Sequence, residues 1–315
     1  MANAIANKKN EAIFLSSSNK ESDAIRKLIE AKDLSASIIS QLPDFTKEAH
    51  DLSKDLESEL NKIAKITNIE NPEKITELSN FVIKFEPKNI FKSENQILVT
   101  GSEFGLIYKI DASNRRKGFN FFSTVEDKVA SVAKSSSDIS FFTESGKAYI
   151  YDPLSQKINE LNFSKDENQI MGLSNNTIDV YDKSTSEIKI LSQANLHQIE
   201  KLSAQSPVSS LASDNKNIFT LTSDNRIIKI TGQRQEQIAD INSLQLFEKP
   251  TAIYTNNNTS NTYITSKNQL AVFSKNGGFI GQYNIIGSDE IIDIYIASDQ
   301  EIFLLSHDAV YRISI

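Results

Sequence analysis

Three histidines, His50, His197 and His307, are the entire supply of imidazole in this 315-residue chain, which has no cysteine. None of the three has a second histidine at metal-ligand spacing. Without cysteine there is no thiolate nucleophile, disulfide, zinc knuckle or iron–sulfur cluster. Serine is abundant, but no Gly-x-Ser-x-Gly elbow occurs to mark a hydrolytic triad. Gly101, Gly105, Gly118, Gly146 and Gly172 are scattered, and neither Gly-x-Gly-x-x-Gly nor Gly-x-x-x-x-Gly-Lys is present, so a phosphate loop is unsupported. Asp111, Asp152 and Asp182 recur at strand ends, where a calcium ion would find oxygen ligands. Turn formation explains them better, because Thr231, Ser274 and Ser314 stand at the matching places in later repeats. Arg115-Arg116-Lys117, the one dense basic cluster, reads as a solvated hairpin tip, and His197 and His307 read as exposed polar residues. No residue is assigned a catalytic, cofactor-binding or metal-ligating role, and no cofactor is expected.

Composition narrows the classes further. Thirty-four basic and 41 acidic side chains leave a formal charge of −7, which offers no field to a phosphate backbone; nucleic acid is not an expected partner. After Lys8 and Lys9 the apolar run is only Ala12-Ile13-Phe14-Leu15. A secretory core needs about 7 to 15 apolar residues and a membrane helix about 20, so neither a leader nor a membrane insertion is expected in this chain. Localisation stays open, because a piece of a membrane-anchored protein would read the same.

The elements that must position any site fall into two regions. Residues 1–80 carry helical periodicity. Ser18 or Asn19 can cap a helix containing Ile25, Leu28 and Ile29, with Glu21 and Asp23 in its first turn. Beyond Pro43, the residues Phe45, Ala49, Leu52, Leu56, Leu60 and Ile63 step by 4, 3, 4, 4 and 3, which is one face of an amphipathic helix and approximates a heptad seam. Asn71-Pro72-Glu73 is expected to restart a short helix, since proline is tolerated in a first turn. These helices are expected to pack on themselves or on the next domain, with a coiled coil that self-associates as the alternative.

Residues 81–315 alternate with the period of strands and contain an internal repeat: an apolar strand, a tight polar turn and a second apolar strand. One copy reads Ile218-Phe219-Thr220-Leu221-Thr222, Ser223-Asp224-Asn225, Arg226-Ile227-Ile228-Lys229-Ile230. The second strands begin at 106, 147, 177, 226, 269 and 309, and the third turn residue is Gly105, Gly146, Asn176, Asn225, Asn268 or Asp308, as a left-handed backbone would favour. The mean period near 41 residues suits a four-stranded blade. Segments such as Val129–Val132, Pro207–Leu211 and Ile291–Tyr295 suit inner strands, and Phe119–Thr124, Lys157–Leu161 and Glu187–Leu191 suit outer ones. The last repeat lacks an outer strand, and Phe81–Phe85 is expected to supply it and close the ring.

This repeat resembles the divergent β-propellers of the quinoprotein and WD40-like superfamilies, without their signatures: the chain has no tryptophan, and Gly277-Gly278 is an isolated pair. The resemblance implies a mainly β protein, a six-bladed propeller over 81–315, preceded by the helical segment. With no chemical motif above background, the expected function is a protein–protein interaction or scaffold module whose partner is another protein. The alternatives are a lyase or lactonase acting at the central channel and a structural component of a surface or membrane-tethered assembly. The expected binding surface is the Ser192–Pro207 insertion or the Pro43–Ile66 helix.

Overall fold

From Pro87 onward the chain folds back on itself repeatedly, giving five sheets built on four consecutive strands and a sixth with three. The computed structural model describes residues 2–18, 20–41, 46–78, 86–93, 96–102, 106–111, 117–121, 128–134, 139–152, 154–155, 157–164, 169–173, 177–192 and 197–315. The chain opens with helices α1 (Ala2–Ser17), α2 (Glu21–Gln41) and α3 (Thr46–Ile63), followed by strands β1 (Ile66–Ile69) and β2 (Glu73–Glu77). The blades follow in order. Blade one runs from β3 (Pro87–Ser93) through β4 (Gln96–Gly101) and β5 (Leu106–Asp111) to β6 (Lys117–Phe121), and blade two comprises β7 (Val129–Lys134), β8 (Ile139–Thr143), β9 (Lys147–Asp152) and β10 (Lys157–Ser164). Blade three is β11 (Gln169–Leu173), β12 (Thr177–Asp182), β13 (Glu187–Ser192) and β14 (Gln198–Ser203); blade four is β15 (Val208–Ser213), β16 (Ile218–Thr222), β17 (Arg226–Thr231) and β18 (Arg234–Asp240). Blade five holds β19 (Ala252–Tyr254), β20 (Asn261–Ser266), β21 (Gln269–Ser274) and β22 (Phe279–Ile285), and blade six β23 (Ile291–Ser298), β24 (Glu301–Ser306) and β25 (Ala309–Ser314). The six-bladed ring expected from the repeat is present.

Blade three lies one strand out of phase with the expected repeat. Gln169–Leu173, expected as the first strand of its repeat unit, is the innermost strand of blade three, and Glu187–Ser192, where Glu187–Leu191 is expected as an outer strand, is the third. The third strands therefore begin at 106, 147, 187, 226, 269 and 309, in steps of 41, 40, 39, 43 and 40. The two successive hairpins of blade three share one pattern of apolar strand, polar turn and apolar strand, so local sequence does not fix which of them is the inner one. The left-handed turn residues shift with it: φ is positive at Gly146, Ser186, Asn225 and Lys267, so blade three uses Ser186 and blade five uses the residue before Asn268.

Closure comes from a different segment than expected. Phe81–Phe85 lies outside the described residues, and the place beside β25 is taken by β2, paired antiparallel from Glu73↔Arg312 to Glu77↔Ala309. Asn71-Pro72-Glu73 thus leads into a strand and starts no helix. Arg312 bonds Glu73 through both Nε (2.8 Å) and Nη2, and also faces Glu301. Upstream, β1 adds a fifth strand to blade five, parallel to β22 from Ile66↔Gln282 to Ile69↔Ile285. The residues before 81 contribute two strands to the ring.

The core lies between blades. Alternate residues of each central strand bury against the neighbouring sheet, so Leu98 and Tyr108 of blade one share a cluster with Phe141 and Tyr149 of blade two and with Tyr295, Phe303 and Val310 of blade six. The helical stripe finds its cover inside the molecule: Leu56 and Leu60 of α3 bury with Ala24, Leu28 and Ala31 of α2 and with Ile5 and Ala12 of α1, flanked by Leu52 and Ile63. Phe45 lies outside the described residues. α1 itself was not legible as a helix, because its buried positions are few and one is only an alanine. Ion pairs Lys9–Asp55 (2.5 Å) and Lys8–Glu30 tie it to its neighbours. Leu246, from the connection between blades four and five, packs on this bundle and docks it on the ring.

Candidate functional site

The first strands of all six blades surround a cavity of about 240 Å3 on the ring axis. One ionic cluster dominates its wall. Asp293 sits on β23 inside the apolar run Ile291-Ile292-Asp293-Ile294-Tyr295, and Lys134 is the last residue of β7. Their side chains are 6% and 15% exposed and meet with Nζ 2.5 Å from Oδ2. The same Oδ2 accepts the Ile90 backbone amide at 2.7 Å, and Oδ1 accepts the Tyr254 hydroxyl at 3.0 Å. Lys134 also donates to the carbonyls of Ile90 (3.1 Å) and Ile294 (3.0 Å), which uses all three ammonium protons. Its ammonium lies 5.5 Å from the centre of the Tyr254 ring, within cation–π range.

Burial sets the electrostatics of this cluster. Loss of hydration pulls the Lys134 pKa below the usual lysine range, and the Asp293 charge opposes that pull. For Tyr254, burial and then the Asp293 charge push the phenol well above its ordinary value. The tyrosine hydroxyl donates to Asp293, and the contacts of the Lys134–Asp293 pair come from four blades: one, two, five and six. Across the cavity the wall is uncharged, with Gly172 and Met171 of blade three, and Ser210, whose hydroxyl accepts the Ile253 amide at 3.1 Å. Lys134 carries no signal of its own in the sequence, where the inner strand is expected to end at Val132; β7 runs on to Lys134. Asp293 carried the available signal: a carboxylate inside an otherwise apolar strand.

A second buried acid is Asp179 on β12, 2% exposed, at the wall of a cavity of about 140 Å3 between blades three and four. Desolvation raises its pKa to about 6, against the smaller opposing effect of the Ser213 and Thr177 hydroxyls.

The residues considered in the sequence are not brought together. His50 lies exposed on α3, His197 just before β14 and His307 in the turn between β24 and β25. Among the described residues, no group of three acidic or imidazole side chains is placed to hold a metal ion. Asp152 and Asp182 make turns: Asp152 accepts from the Leu154 amide at 2.8 Å and the Ser155 hydroxyl at 2.6 Å, and Asp182 from the Ser184 amide at 2.9 Å. Those bonds, led by the serine hydroxyls, hold both carboxyls below the usual range. Asp111 ends β5, while Arg115 and Arg116 lie outside the described residues. Asn257 exchanges two hydrogen bonds with Asn215, joining loops of blades four and five. Gln198–Ser203, within the segment expected to be an insertion, is the outer strand of blade three, and the α3 stripe packs against α2.

Four-stranded sheets arranged about one axis, each with its first strand on the channel and the last blade completed from the N-terminus, decide the architecture. The chain is a six-bladed β-propeller. No family model matches it, and no curated protein does. The propeller is similar to a solved structure of U3-55K, with 10% identity over 78% of this chain and all of that one, at a TM-score of 0.53. It is also similar to streptogramin B lyase, with 17% identity over 76% of this chain and 86% of that one, at a TM-score of 0.51. At such identities the likeness is one of fold. Among the described residues, no helix of the propeller chain is long and apolar enough to cross a membrane.

Proposed function

We propose that this propeller is a non-catalytic protein-binding module. One observation carries the reading: the buried acid and base of the channel spend their hydrogen bonds on each other and on the ring. A general acid or base must hold its proton within reach of a substrate atom. The Lys134 protons go to Asp293 and two backbone carbonyls, and the Asp293 oxygens go to Lys134, Ile90 and Tyr254. The cluster staples four blades. A rigid disc of this kind offers loops and rims for specificity without requiring chemistry at its axis.

The test uses the full chain as bait in extract of its source cells, followed by titration of the captured polypeptide against the purified chain in a calorimeter. A stoichiometric complex with a dissociation constant of about micromolar or tighter is expected. Failure to retain any polypeptide in stoichiometric amount sinks the reading.

A further inference from the structure

Two sets of half-buried apolar side chains face one cleft at the joint between bundle and ring. Ile25 and Ile63 flank the bundle core, Leu244 and Phe279 flank the core between blades four and five, and Leu246 crosses from ring to bundle. All five line a cleft of about 340 Å3, so the two bodies meet without closing the apolar surface between them. Ligand pockets occupy about 300 to 1,000 Å3, favour domain interfaces and combine an apolar lining with a few fixed polar groups. The fixed groups are present. Gln282 is buried, its side-chain nitrogen donates to the Leu246 carbonyl (3.2 Å) and Asn284 Oδ1 (3.1 Å), and its backbone amide donates to the Lys65 carbonyl (2.9 Å). Gln245 donates to the Ser22 carbonyl at 3.2 Å, spanning the joint. Two opposite charges line the same cleft: Glu21, the first residue of α2, and Lys65, held at φ 53° just past α3. Neither forms an ion pair among the described residues, with each other or with a neighbour.

We propose that this cleft binds a small zwitterion with an apolar side chain, of the class of leucine, phenylalanine or a dipeptide of such residues. The apolar group covers the exposed flanks of Ile25, Ile63, Leu244 and Phe279, while the ligand ammonium pairs with Glu21 and its carboxylate with Lys65. A molecule carrying only one of the two charges leaves the other rim residue unmatched. Because bundle and ring each supply half the lining, the ligand bridges them and raises the unfolding temperature. The proposal is independent of any protein partner and survives or fails separately from the binding-module reading.

Thermal unfolding of the full chain, titrated with phenylalanine, leucine, phenethylamine and 3-phenylpropanoate, tests it. A rise in Tm of about 2 °C or more is expected near saturation with the amino acids. The single-charge analogues should need higher concentrations. Glu21→Gln, at an exposed position, should weaken phenylalanine binding by about fivefold, as expected for one exposed ion pair. Ala64→Phe, which fills the cleft from the end of α3, should abolish the shift. The proposal is overturned if neither amino acid shifts Tm at millimolar concentration, if the analogues bind as tightly, or if both variants respond like the parent chain.

Discussion

Lys134 and Asp293 stand 159 residues apart in sequence and meet at 2.5 Å in the channel wall, in blades that are not neighbours. Blade one lies between them, and its Ile90 contributes both an amide to Asp293 and a carbonyl to Lys134. The ring must be closed for this contact to exist, so the pair reports closure directly.

Removing one partner should therefore cost more than a surface ion pair would. Lys134→Met leaves the Asp293 carboxylate buried with neutral donors only, and should destabilise the chain by about 3 to 5 kcal/mol in urea denaturation. Arg312→Ala, which breaks half-exposed contacts to Glu73 and Glu301, should cost about 1 kcal/mol or less. Equal losses in the two variants would remove the special standing of the channel pair.

Asp179 predicts a pH dependence of known sign. Its folded pKa is raised to about 6, above the ordinary value near 4, so the native state holds the proton more tightly than the unfolded one. Its contribution to stability is complete below about pH 4 and is lost as pH rises through about 6, a change of about 3 kcal/mol. Asp179→Asn removes that titration. Stability measured from pH 4 to 8 should show the difference, variant minus parent, climbing across this window and flat above it; a flat difference throughout refutes the assignment.

Gly277 sits at φ 90° in the turn between β21 and β22, where an added Cβ would lie 1.9 Å from the Ile238 carbonyl oxygen. Alanine there meets both a backbone conformation it disfavours and a neighbouring backbone that cannot yield cheaply. A loss of about 2 to 3 kcal/mol is expected for Gly277→Ala in thermal or chemical denaturation. Gly232, at φ 55° with open space around its Cβ position, should lose less when changed the same way.

Two truncations separate the roles of the N-terminal region. Deleting residues 1–64 leaves β1 on blade five and β2 on blade six, whereas deleting 1–78 bares the edges of both β22 and β25. The longer deletion should aggregate in sedimentation velocity, because open edges invite strand pairing between chains. The shorter one should remain dispersed, with a lower Tm from the exposed Leu246 and Phe279. Identical behaviour would mean that β2 does not close the ring.

Much of this architecture is written in local pattern. Period-two alternation, turn residues such as Gly146 and Asn225, and recurrence near every 41 residues were enough for six blades, and a step of three and four residues was enough for α3. These signals are local because each strand and helix chooses its own face to bury. Tertiary structure alone decided what depends on partners far along the chain. The phase of blade three followed from Leu202 and Ile188 burying as parts of successive strands, a choice that identical-looking hairpins left open. Closure by Glu73–Glu77 depended on which upstream segment could reach β25, and α1 became a helix because α2 offered Ile5 and Ala12 a surface. The channel cluster was beyond reach for the same reason: a lysine and an aspartate acquire meaning as a pair only when the closed ring brings them within hydrogen-bonding distance and excludes the water that would otherwise separate them.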